Sequence, residues 1–262
     1  MRLVDVKADG TPTNDPGAPA SDRTAFLAAY DRLLTRWPAP HKWLSIDSAF
    51  GTTSVIVSGP PDAPPVVLIH AYQATSAEWI ELARALSTDR RVFAVDVNGD
   101  AGHSTTGQRT ISTTTDMVEW LDAVLDGLQL ATAEVCGHSY GAWIALAYAI
   151  ERPTRVDRVT LLDPTMTFAP LYPHYILRAL PALMKPTSAR RASLIRWESK
   201  KSNAEIVGFV GDIPPDRHEF WPSGHITSLA AGLSCPAMKC GATMMVLSSA
   251  PARKPAAVLV SK

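Results

Sequence analysis

The stretch Ala133-Glu134-Val135-Cys136-Gly137-His138-Ser139-Tyr140-Gly141-Ala142-Trp143-Ile144-Ala145-Leu146-Ala147 decides the fold: a short apolar run, a tight turn carrying one serine, then a helix-forming segment. Within it, Gly137-His138-Ser139-Tyr140-Gly141 fits G-x-S-x-G, the pattern of a nucleophile elbow in which a strand reverses into a helix and lifts the serine hydroxyl above the sheet. The glycines are needed because strand and helix backbones approach closely on both flanks of the serine, and because Gly tolerates strained dihedrals. A Gly/Ser turn capping an ordinary helix is the plainer explanation of five such residues. The flanks decide against it: Val135 and Cys136 end a strand-like run, and Trp143, Ile144, Leu146, Ala147 and Ile150 give the next segment a helical apolar face.

Outward from this stretch, the chain has 262 residues, 46% of them hydrophobic, enough for one large α/β domain with a sizeable core. Lys+Arg and Asp+Glu both number 25, so the formal net charge is zero, and no run of five like charges occurs. That leaves no basic footprint for nucleic acid or an anionic membrane, and a small neutral molecule is the expected partner. Cys136, Cys235 and Cys240 form neither a disulfide framework nor a C-x-x-C motif, so no metal or cofactor is expected. Met1 to Lys7 hold no apolar signal core, and the longest apolar stretch, Ala142 to Ile150, falls far short of the roughly 20 residues that a membrane span needs. The expectation is a soluble, cytoplasmic protein.

Residues 1–21 read as a flexible arm, because positions 8–20 are rich in Asp, Gly, Pro, Thr and Ala and offer little apolar surface. From Ser21-Asp22, the residues Phe26, Leu27, Tyr30, Leu33, Leu34 and Trp37 recur at helical spacing until Pro38-Ala39-Pro40. Lys42 to Ser48 and Thr52 to Ser58 read as an antiparallel hairpin. Val66-Val67-Leu68-Ile69-His70 is apolar without alternation, the mark of a strand inside a parallel sheet covered on both faces. A helix over Thr75 to Leu86, a strand over Arg91 to Asp96, a helix over Ile111 to Leu128, the elbow, and a sixth strand over Val156 to Asp163 complete a core spanning 22–163. Strands alternating with helices predict an α/β, mostly parallel, doubly wound sheet. Residues 164–234 break the rhythm with prolines at 164, 170, 173, 181 and 186 and several aromatics. They read as a helical cap insertion over the elbow, a long irregular surface excursion being the alternative. Residues 235–262 hold a seventh strand, Ala242 to Leu247, and an atypical tail.

The elbow, the His70-Ala71-Tyr72 turn and Val95-Asp96-Val97-Asn98-Gly99-Asp100-Ala101-Gly102-His103-Ser104 together resemble the α/β-hydrolase family, and within it the bacterial carboxylesterase-like serine hydrolases. Leu161-Leu162-Asp163-Pro164 is similar to the sixth-strand ending of that group, and the resemblance covers about residues 22–237. It implies an α/β-hydrolase fold and hydrolysis of a small ester through an acyl-serine. Ser139 would be the nucleophile, and the backbone N–H groups of Tyr72 and Tyr140 the oxyanion hole. The family reads His-Gly where this chain has His70-Ala71, and alanine fits there only if its φ stays negative. His138, the variable residue of the elbow, and His103, in a turn, are expected to be packing or turn residues rather than bases.

The resemblance also implies an acid after the seventh strand and a histidine after the eighth. Ser248 to Lys262 contain no Asp, Glu or His, so the C-terminal end of the fold reads as incomplete. Asp163 and Asp212 remain as candidate acids, and His174, His218 and His225 as candidate bases, with Ser223-Gly224-His225 similar to a catalytic-histidine loop. Three functions stay open: a serine esterase with an unusual triad, a catalytically silent hydrolase scaffold binding a small ligand or partner, and an acyltransferase or perhydrolase-like relative.

Overall fold

Val66 to Ile69 are all buried, and the two faces of their strand serve two different cores. Val67 and Ile69 join one hydrophobic cluster, Val66 and Leu68 the other, as the two-residue period of a strand requires. The neighbouring strand repeats the division, with Phe93 and Val95 on one side and Val92 and Ala94 on the other. A sheet apolar on both faces must be covered on both, which is why the chain alternates strand with helix.

The structure, a computed structural model, describes residues 20–164, 173–184, 187, 189, 190, 193, 194 and 197, and the backbone of 244–248. Its strands are β1 (His41–Ser48), β2 (Gly51–Ser58), β3 (Pro65–Ile69), β4 (Arg91–Val95), β5 (Thr105–Thr106), β6 (Ala133–His138), β7 (Val156–Leu162) and β8 (Met244–Ser248). The helices are α1 (Ala20–Leu34), α2 (Ile80–Leu86), α3 (Thr114–Gly127), α4 (Tyr140–Glu151) and α5 (Pro173–Met184). Strand order is β1-β2-β4-β3-β6-β7-β8, with β5 paired to β2. The centre, β4-β3-β6-β7, is parallel, and antiparallel pairs flank it: the expected hairpin β1/β2 at one end, β7/β8 at the other. Residues of α1 and α2 fill one cluster, those of α3 and α4 the other, so helices cover both faces.

The boundaries differ from expectation where local chemistry intervenes. Thr113 and Asp116 form a capping box, so α3 begins at Thr114 and not at Ile111. The helix expected from Thr75 starts as a 3₁₀ turn, Ser76–Trp79, capped by the Thr75 side chain, before α2. The two-residue β5 gave no periodic signal. The expected C-terminal strand is present as β8, shifted by two residues at its start and running antiparallel to β7. Residues 1–19, most of 164–234 and the tail after Ser248 lie outside the described residues.

Candidate active site

β3 and β6 pair in parallel with Ile69 opposite Gly137, so the turns that follow them leave the same end of the sheet side by side. Ser139 stands between β6 and α4 with φ 51° and ψ −109°, a conformation that costs a non-glycine residue about 1–3 kcal/mol. The surroundings enforce it. The Leu162 carbonyl at the end of β7 accepts the Ser139 N–H at 2.9 Å, and the Ser139 carbonyl accepts from Ala142 and Trp143 in the first turn of α4. A Cβ on Gly137 would overlap the Gly141 carbonyl, and one on Gly141 would overlap the Ile69 carbonyl. Both glycines are therefore fixed by close backbone approach, as the sequence predicts. α4 is buried from Tyr140 to Tyr148, which anchors the strained turn to the core.

The turn after β3 is closed by Ala74 N–H donating to the Ala71 carbonyl at 3.0 Å. Ala71 is not among the described residues with positive φ; that conformation falls on Gln73, at φ 58°. Alanine is thus compatible with this position, and the strain sits two residues later. The Ala71 N–H donates to the Glu78 carboxylate, at 3.3 and 3.4 Å to its two oxygens, and the Gln73 N–H donates to Asp100 Oδ2 at 2.9 Å. Tyr72 lies between these tethered residues, its ring edge-on to that of Tyr140 at 6.0 Å between centroids. Tyr140 in turn stacks on Trp143 at 5.7 Å. The three residues assigned by sequence to the nucleophile and the oxyanion hole, Ser139, Tyr72 and Tyr140, thus occupy one corner of the sheet.

Burial, with the Asp100 charge adding to it, pushes the Tyr72 phenol up to about 12 and the Tyr140 phenol well above its ordinary value. Neither can act as a base near neutral pH. His70 is fully buried: its Nδ1 donates to the Ala71 carbonyl at 2.8 Å, and its Nε2 accepts the Val97 N–H at 3.0 Å. His103 stacks on Tyr30 and pairs with Asp31 at 2.7 Å, the turn role expected of it. His138 has Nδ1 3.3 Å from Glu78 and its ring edge-on to Trp79, a packing role. His174 lies on α5 with its ring 6.2 Å from that of Trp197. Asp163 directly follows β7 with φ 44°. Asp212, His218 and His225 lie outside the described residues.

Sequence reading missed three carboxylates of this corner. Asp96, within the quoted turn after β4, accepts from Tyr30 Oη, Ser76 N and Ser76 Oγ on Oδ1 and from His103 N on Oδ2. Gly102, at φ 125°, leaves room for that carboxylate, which a Cβ would strike. Asp100 and Glu78 carry the tethers of the Tyr72 turn. The signal available for Asp96 and Asp100 was their place in the quoted stretch Val95 to Ser104; Glu78, inside an ordinary 3₁₀ turn, had none. Among the described residues no group of three His, Cys, Asp or Glu side chains is arranged to hold a metal, and no helix is long and apolar enough to cross a membrane.

Comparison with known proteins agrees with this geometry. The family model described as alpha/beta hydrolase fold matches residues 64–194, half of the chain. Carboxylesterase YbfK of Bacillus subtilis (strain 168) is 34% identical over 173 residues, covering 66% of this chain and 57% of that protein. The uncharacterized carboxylesterase nap of the same organism is 34% identical over 155 residues, covering 59% and 51%. The chain therefore spans little more than half the length of these curated relatives. The crystal structure of carboxylesterase CesB (YbfK) from Bacillus subtilis superposes with a TM-score of 0.70 at 28% identity, over 78% of this chain and 72% of that one. That of naproxen esterase (carboxylesterase NP), also from Bacillus subtilis, gives 0.66 at 28% identity, over 75% and 69%.

Proposed function

Because the chain belongs to the α/β-hydrolase fold family, we propose that it is a serine hydrolase that cleaves a small carboxylic ester through an acyl-serine intermediate. Ser139 Oγ attacks the ester carbonyl as its proton passes to a base. The tetrahedral oxyanion accepts hydrogen bonds from the Tyr72 and Tyr140 N–H groups, the latter at the positive end of α4. Collapse expels the alcohol with the base's proton, and water then attacks the acyl-serine by the same route to release the acid. Residues 164–234 are proposed as the cap that shapes the acyl and alcohol pockets.

The observation that supports this reading is the conformation of Ser139, a strained serine between a parallel strand and a buried helix, beside a turn whose middle residue is Tyr72. The test is hydrolysis of nitrophenyl acetate by the parent and by Ser139→Ala. The variant should lose at least about a thousandfold in kcat while keeping its fold. A variant as active as its parent would remove Ser139 from the mechanism. A parent that binds the ester but does not turn it over would favour the silent scaffold. The base is found by alanine substitution at His225, then His218 and His174, and the acid by Asp163→Asn and Asp212→Asn.

A further inference from the structure

The turn that carries Tyr72 is tied on both sides by carboxylates from different parts of the chain. On one side Glu78, in the 3₁₀ turn before α2, accepts the Ala71 N–H and also lies 3.3 Å from His138 Nδ1, next to the nucleophile. On the other side Asp100, in the loop after β4, accepts the Gln73 N–H on Oδ2 and the Ala101 N–H on Oδ1. Ala74 N–H closes the turn onto Ala71. Residues 71, 73 and 74 are thus each held through their amides, and Tyr72 lies between them.

We propose that Asp100 and Glu78 are positioning residues for the oxyanion hole, bracketing the 71–73 turn so that the Tyr72 N–H is held toward the oxyanion formed at Ser139. The inference rests on the serine-hydrolase reading above and assigns a task to two groups that reading leaves idle. Gln73 shows why a bracket is needed: at φ 58° it holds a backbone conformation that costs a side-chain-bearing residue about 1–2 kcal/mol, and an unrestrained turn would relax out of it. A charge-assisted bond to the Gln73 amide itself, worth about 1.5–3 kcal/mol, is large enough to hold that conformation. Asp100 is 5% exposed, and burial pushes its carboxyl up to about 6. Packing alone would be served as well by an uncharged side chain. Glu78 adds a second link, because the same carboxylate meets the turn and the elbow residue His138, fixing the two halves of the oxyanion hole relative to each other.

The experiment compares an ester with its thionoester at pH 8, where Asp100 is ionised, for the parent, Asp100→Ala, Asp100→Asn, Glu78→Ala and Glu78→Gln. Sulfur accepts hydrogen bonds poorly, so the oxygen-to-sulfur ratio of kcat reads the oxyanion donors and is insensitive to the fraction of enzyme folded. Losing a single donor costs about 10²–10³ in kcat. Each alanine variant should lose at least tenfold in kcat with KM within threefold, and its oxygen-to-sulfur ratio should shrink by a similar factor. Each amide variant keeps one acceptor oxygen and should recover part of both. A kcat loss with an unchanged ratio, or a loss below threefold in both alanine variants, overturns the proposal. Glu78 supplies an independent arm if Asp100→Ala does not fold. A parent without turnover, or an active Ser139→Ala, would instead mark failure of the serine-hydrolase reading.

Discussion

Replacing Asp96 by Asn removes one charge and one acceptor from the centre of a polar knot, and its cost can be worked out bond by bond. The carboxylate is 1% exposed and accepts from Tyr30 Oη at 2.8 Å, Ser76 N at 3.0 Å, Ser76 Oγ at 2.7 Å and His103 N at 2.9 Å. Three of these end on Oδ1, so the best placement of an asparagine keeps its oxygen there and turns its NH2 toward the His103 N–H. Three charge-assisted bonds become neutral, each losing roughly 1 kcal/mol, and one donor faces another at about 1–3 kcal/mol. Relief from burying an ion returns part of this, leaving about 3–5 kcal/mol. Equilibrium urea unfolding with an m-value of about 2–3 kcal/mol/M should show the midpoint falling by roughly 1–2.5 M. Tyr30→Phe alone should cost about 1.5–3 kcal/mol, and clearly less on top of Asp96→Asn, because the two share one bond. A loss below about 1 kcal/mol for Asp96→Asn, or strict additivity of the pair, would refute the knot as a unit.

Gly137→Ala drives a Cβ into the Gly141 carbonyl, so it should displace Ser139 and lower kcat at least tenfold while far-UV circular dichroism stays native. Thr113→Ala breaks the capping box at the start of α3 and should cost about 1 kcal/mol in thermal unfolding. Asp100 ionises near 6 in the folded chain against an ordinary 3.8, so the folded state holds that proton more tightly. Its contribution to stability is therefore full below about pH 4 and is lost as pH rises through about 6; the difference in unfolding free energy between parent and Asp100→Asn should follow that slope between pH 4 and 7. Burial, with Glu78 and Glu134 adding to it, pushes the Cys136 thiol up to about 12, so iodoacetamide at pH 8 should modify it in urea and spare it in the native protein, as read by peptide mass spectrometry.

The fold was legible in the sequence because its strongest signals are local. A strand apolar on both faces, such as Val66 to Ile69, has few places to go other than the middle of a covered sheet, and G-x-S-x-G prescribes its own geometry. The positive φ in the turn after β3 was anticipated as a constraint on Ala71 and is in fact borne by Gln73. No propensity rule would place it on a glutamine, since what stabilises it there is the distant Asp100. Asp96 and Glu78 were hidden for the same reason: each has a partner far along the chain, Tyr30 at 66 residues from Asp96 and His138 at 60 from Glu78. The direction of β8 was also out of reach, because an apolar run such as Met244 to Leu247 has the same pattern whether it pairs parallel or antiparallel.

That direction has a consequence for how the chain is threaded. Because β8 runs against β7 with Met244 opposite Leu162, the chain leaves the sheet and returns to it at the rim where Ser139 stands. A parallel strand would have forced the returning chain to cross to the far rim first. The chain therefore departs from β7 and rejoins at β8 through two points on one edge of the sheet. A connection attached in this way can be lengthened, shortened or exchanged without changing the order of a single strand.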